Sequence, residues 1–187
     1  MPKSSLLAAE LASVSNRSPR PRAKHMMPVV ALDVDGVLSP LGPPSRAWSD
    51  WRDAPGAGFA LPLSAAMAAR LAALPARRVW LTSWEHSANT TVAPALDWAP
   101  LEVLESGGRA ATARIRWWKL RALLAWLATQ PALPGLVWID DDLIHHPSAR
   151  RHLDDVGVPY LLVSPQRSTG LSSPQLRRIE TFVAHHS

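Results

Sequence analysis

"VVALDVDGVLSP", residues 29–40, is an apolar run that stops at Asp33 and Asp35, two positions apart, and then a glycine. A strand this hydrophobic has no structural need for carboxylates at its exit, so their placement asks for a chemical reason. Working outward, four further short runs rich in β-branched, leucine or aromatic residues read as strands: 78–82 "RVWLT", 101–104 "LEVL", 136–140 "LVWID" and 159–163 "PYLLV". Segments of helical period separate them. Residues 62–74 place Leu63, Met67, Leu71 and Leu74 on one stripe, and 114–129 place Trp117, Leu120, Leu124 and Leu127 on another. Further helices are expected at about 87–97, 147–156 and 173–185, the last two with a proline in the first turn. Strand and helix alternating in this way predict an α/β fold: a Rossmann-like three-layer sandwich with a mainly parallel central sheet.

In such a sheet, ligands bind beyond the carboxyl ends of the strands, near the point where strand order reverses. Asp33 ends the first strand, Thr82 and Ser83 the second, and Asp140, Asp141 and Asp142 the fourth. Carboxylates gathered there repel one another unless a cation neutralises them. With no cysteine in the chain, the metal donors are oxygen or imidazole, and an all-oxygen set suits Mg²⁺. Lys3 and Lys24 lie near the N-terminus, which leaves Lys119 as the lysine available to the site.

Composition bounds the class. At 187 residues and 47% hydrophobic, the chain can bury one core of ordinary size, and no apolar run is long enough to span a membrane. The absence of cysteine suits a reducing, cytoplasmic compartment. The net charge is +5, yet residues 1–27 carry five basic residues against Glu10 alone, so the surplus of the remaining chain is only one. We therefore expect residues 1–27 to be a basic, disordered extension and 28–187 to be the folded domain. The extension, with Arg109, Arg114 and Arg116, offers contacts for anionic partners such as nucleic acid.

Taken in order, "DVDGVL", the strand-final "WLTS", Lys119 and "WIDDD" resemble the four motifs of haloacid-dehalogenase-like (HAD) phosphohydrolases. Within that superfamily, "LDVDGVLSP", "WLTSWEHSANT" and "WIDDDL" look most like the HAD domain of Swiss-Army-Knife RNA-repair proteins. The resemblance implies a phosphatase with Mg²⁺ as cofactor and an aspartyl-phosphate intermediate. Asp33 is then the nucleophile, and Asp35 is the acid and base and a metal ligand through its backbone carbonyl. Gly36 makes the turn beside the substrate, Lys119 balances charge, and Asp33 and Asp141 are carboxylate ligands of the metal. Thr82 is taken as the phosphate-binding hydroxyl, with Ser83 the alternative. Asp141 is taken as the ligand from its place in the family motif, leaving Asp140 and Asp142 to support it.

Each feature alone has a structural reading: Asp-Gly turns, acids opening a helix, and hydroxyl caps are common. The four together in family order are far more specific. Among nine tryptophans, Trp80, Trp117, Trp126 and Trp138 fit core positions, whereas Trp48, Trp51 and Trp84 follow strand ends where a flat substrate group can stack. Glu85, His86 and Asn89 are expected at the rim of the site. Residues 36–61, rich in proline and glycine, read as a flap rather than a cap domain, which leaves the site open to a polynucleotide end. A small-metabolite or nucleotide phosphatase is the alternative within the same chemistry. A non-catalytic module binding nucleic acid or protein is the alternative outside it. Oligomeric state is not legible.

Overall fold

The computed structural model describes residues 26–55, 57–107 and 115–187. Residues 1–25, Arg109 and Arg114 lie outside that set, and with them nearly all of the expected basic arm. The central sheet has five strands, β1 (Val29–Leu32), β4 (Arg77–Trp80), β5 (Glu102–Val103), β6 (Leu136–Ile139) and β7 (Tyr160–Val163). Their order is β5-β4-β1-β6-β7, and every pairing is parallel.

The pleat decides what each face meets. Val30 and Leu32 of β1 face one way with Trp80, Val137 and Ile139. They pack on α1 (Ala65–Ala72) and α5 (Ser173–His186) through Met67, Leu71, Leu176, Ile179 and Val183. Val29 and Ala31 face the other way with Val79 and Trp138, against α3 (Trp118–Leu127) and α4 (Ser148–Val156) through Leu120, Leu123, Ala149 and Leu153. Because both faces are covered, β1 and β6 are apolar and buried at every position, as parallel strands require. The three-layer sandwich is therefore as expected.

Two expected helices differ in detail. The segment 62–74 does not start as helix: Pro62–Ser64 is a strand, β3, paired antiparallel with β2 (Trp51–Asp53). The turn into α1 occurs at Ser64, whose hydroxyl accepts from Met67 N at 3.1 Å and so satisfies a donor of the first turn. The leucine stripe runs through both elements, so periodicity alone misses the boundary. The segment 87–97 is a π-helical turn, Ala88–Val92, running into the short α2, Ala93–Ala95.

Candidate active site

The chain visits β1, β4 and β5 on one side, then crosses back to β6 and β7, so strand order reverses around β1. Asp33, one residue beyond β1, and Asp140, one beyond β6, are both buried at the carboxyl edge. Between them reaches Lys119 from the first turn of α3, also buried. Its Nζ lies 2.5 Å from Asp33 Oδ2 and 2.8 Å from Asp140 Oδ2. Both contacts are ion pairs between buried groups. The other oxygen of Asp140 accepts from Asp142 N at 2.9 Å and opens a 3-10 turn, Asp141–His145.

The electrostatics follow from this burial. Loss of water pushes the Asp33 carboxyl up, while the Lys119 ammonium, the Thr82 hydroxyl and the Val34 N–H favour its charged form. Asp140 is pushed up to about 7, first by burial and then by the charge of Asp33, against the pull of Lys119. Burial alone would lower Lys119, but the two carboxylates outweigh it and hold the ammonium above its usual range.

The loop after β1 is shaped by Gly36. Its φ is +68°, a left-handed conformation that costs a residue bearing Cβ about 1–2 kcal/mol. A Cβ at Gly36 would also stand 2.6 Å from Asp141 Cγ, so this position must lack a side chain for the two loops to touch. Asp35 is partly buried, and its Oδ2 accepts from Trp84 Nε1 at 2.9 Å. Trp84 in turn meets Phe59 of the flap, with ring centroids 5.8 Å apart. Of the two hydroxyl candidates, Thr82 is fully buried beside Asp33, whereas Ser83 is exposed.

The donor set fits a hard divalent cation. Asp33, Asp140 and Asp141 each present a carboxylate oxygen within 4.8 Å of the others, and all three are buried. Oxygen donors alone, with no imidazole or thiolate among them, match Mg²⁺ chemistry, although the Asp140 oxygen also serves as counter-ion to Lys119 at 2.8 Å. This grouping brings in Asp140, expected only as support, whereas the side chain of Asp35 points to Trp84.

Sequence reasoning missed Arg167. Its Nε lies 2.6 Å from Asp141 Oδ2, and its second terminal nitrogen 2.9 Å from Asp142 Oδ1. It stands four residues beyond β7, on the same sheet edge as the other strand-end residues, and that position was the available signal. Ser164, one residue beyond β7, donates to the carbonyl of Asp141 at 3.0 Å. Asn89, expected at the rim, instead pins the sheet: its Oδ1 accepts from Trp80 Nε1 and Leu101 N, each at 2.8 Å. His86, also expected at the rim, faces solvent and pairs with Glu105 at 2.7 Å, and Arg116 is exposed ahead of α3.

Residues 29–176 match the family described as the HAD domain in Swiss Army Knife RNA repair proteins. The chain belongs to that family. The matched region of this HAD domain spans all five sheet strands, the flap and every site residue named above, and it ends in the first turn of α5. No curated protein and no solved structure matches the chain.

Proposed function

We propose that this HAD domain is a Mg²⁺-dependent phosphomonoester hydrolase acting through Asp33, with a polynucleotide end as substrate. The observation that carries the reading is the placement of Lys119 Nζ against Asp33 and Asp140, with Asp141 in the same buried cluster at the reversal of strand order. A structural ion pair has little reason to stand there, because burying charges costs several kcal/mol and apolar packing often does better.

Asp33 uses one carboxylate oxygen to attack phosphorus, and the bond to the ester oxygen breaks. The leaving oxygen takes a proton from Asp35. Trp84 Nε1 donates to Oδ2 of Asp35, which leaves Oδ1 to carry that proton. Asp35, now a carboxylate, then takes a proton from water. The water oxygen attacks phosphorus and frees Asp33 and inorganic phosphate. Thr82 donates to a phosphate oxygen, and Lys119 offsets charge on the phosphoryl group. Asp33 and Asp141, with the Asp35 carbonyl, would hold Mg²⁺, which would supply charge neutralisation at the phosphoryl oxygens. Asp140 keeps Lys119 in place, and Asp142 supports the loop.

The substrate class rests on three supports. Family members occur in RNA repair proteins. The flap is a small hairpin rather than a domain, so the site stays open to a large substrate. Phe59, 60% exposed, stands over Trp84 beside Asp35 and gives a terminal base a surface to stack on. Among the described residues no helix is long and apolar enough to cross a membrane.

The test is hydrolysis of 3′- and 5′-phosphorylated oligonucleotides, mononucleotides and p-nitrophenyl phosphate with Mg²⁺, by wild type and Asp33→Asn. Expected is turnover that D33N abolishes, with oligonucleotides preferred. A preference for mononucleotides would replace the polynucleotide reading with a small-molecule phosphatase, and no turnover on any ester would leave a binding module.

A further inference from the structure

We infer that Arg167 is a phosphate clamp released by the metal: its guanidinium and the divalent cation compete for Asp141, and the displaced guanidinium closes on the substrate phosphate. This rests on the phosphatase reading above and adds an order of binding, cation before phosphate.

Three observations carry it. First, Asp141 Oδ2 is the oxygen that Arg167 Nε approaches to 2.6 Å, and Asp141 belongs to the buried carboxylate group suited to a cation. A guanidinium and a divalent cation repel, so a cation drawn to the Asp141 carboxylate weakens the hold of that carboxylate on Arg167. An arginine keeps its proton under all ordinary conditions, so it can leave only by moving.

Second, Arg167 is built to move at its head and not at its root. The Arg167 carbonyl accepts from Leu41 N at 3.0 Å, and the next residues are closed by bonds from Thr169 N and Gly170 N to the Gln166 carbonyl, each 2.9 Å. Gly170 is pressed against the Val37 carbonyl, 2.8 Å from where a Cβ would stand, so this loop cannot drift from the loop after β1. The Arg167 side chain, in contrast, is 60% exposed and carries four rotatable bonds beyond Cα. Asp141 is buried and Asp142 partly exposed, so the pair is anchored on the carboxylate side while the arginine side chain has open solvent around it.

Third, the destination is adjacent. Asp141 shares the cluster with Asp33, the proposed nucleophile, so a phosphoryl group on Asp33 lies within reach of a guanidinium swung off Asp141. The planar fork matches two phosphate oxygens, as it now spans two carboxylates. Lys119, locked between Asp33 and Asp140, cannot make this exchange.

The experiment is calorimetric, on the full chain, with wild type, Arg167→Ala and Arg167→Lys. Mg²⁺ is titrated alone, then inorganic phosphate is titrated with and without saturating Mg²⁺. Expected for R167A is Mg²⁺ binding tighter by about threefold to tenfold, as one competing charge-assisted contact is removed. Phosphate binding should strengthen with Mg²⁺ in wild type, and R167A should lose most of that strengthening, with R167K intermediate. Unchanged or weaker Mg²⁺ binding in R167A would show that Arg167 only orients Asp141, and would overturn the inference. So would phosphate binding that gains equally from Mg²⁺ in wild type and R167A. An active wild type combined with either negative result removes the clamp alone, whereas a wild type that binds no Mg²⁺ removes the phosphatase reading with it.

Discussion

Replacing Lys119 with methionine tests the centre of the site. The substitution keeps the apolar stem and removes the one ammonium in contact with Asp33 at 2.5 Å and Asp140 at 2.8 Å. Both carboxylates are buried, so neither recovers its hydration. Removing one partner of a buried ion pair costs about 3–5 kcal/mol, because an uncompensated charge stays behind. In a domain of this size each kcal/mol moves Tm by about 2–4 °C, so a drop of about 6–20 °C is expected. The melt is followed by circular dichroism in EDTA. The cost should depend on pH with a definite sign. Asp140 already sits at about 7, above its unfolded value of 3.8. Without Lys119 it rises further, so protonation of Asp140 below that point removes one of the two unpaired charges, and the destabilisation grows as pH rises through it. K119M should therefore melt closer to wild type in mildly acidic buffer than in mildly alkaline buffer. Adding Asp140→Asn should restore part of the loss. A shift under about 2 °C in alkaline buffer would refute the role of Lys119 as counter-ion, as would a loss of the same size with and without D140N.

Gly36→Ala combines left-handed strain of about 1–2 kcal/mol with a collision against Asp141, and Mg²⁺ titration should show affinity reduced by about tenfold; unaltered affinity would mean that the two loops are not in register. Phe59→Ala should raise KM for phosphorylated oligonucleotides by about 5-fold or more, given the 1–3 kcal/mol of base stacking. It should leave p-nitrophenyl phosphate hydrolysis alone; an equal change on both substrates argues against stacking. Asp50 is held below its usual carboxyl range by the Ser64 hydroxyl and, after burial acting the other way, by the Ala66 N–H. The stability it contributes is thus present above about 3.8 and lost as pH falls through its lower folded value. Wild type should melt above Asp50→Asn at neutral pH and converge with it in acid, and parallel curves would contradict that linkage.

Three of the five sheet strands were legible as unbroken apolar runs, "VVAL", "LVWI" and "YLLV", whereas Arg77–Trp80 and Glu102–Val103 were read from short apolar stretches beside charged residues. The candidate site was legible for the converse reason: charges directly after the first and fourth of the five predicted strands have no packing use. What escaped was fixed by tertiary distance. The Trp84 indole meets Asp35 across 49 positions and Arg167 meets Asp141 across 26, and no local pattern encodes either pairing. The strand Pro62–Ser64 escaped because its leucine shares the stripe of α1, and only its partner Trp51–Asp53 makes it a strand. Asn89 was misplaced because a polar side chain after a strand reads as rim, while its amide in fact serves Trp80 and Leu101.

The root of the flap has a mechanical meaning. Ser64 donates to Asp50 Oδ1 at 2.6 Å while capping α1, and Asp50 Oδ2 accepts from Ala66 N at 2.7 Å. Entry and exit of the hairpin are thereby bolted to one helix end, whereas Gly58 near its tip has open space around it. The flap is a cantilever: stiff where it joins the core, and loaded at the free end that carries Phe59 over Trp84. Lengthening the tip changes what stands over Trp84 without disturbing the carboxyl edge of the sheet, which makes residues 57–60 the natural splice point for grafting a further module onto this domain.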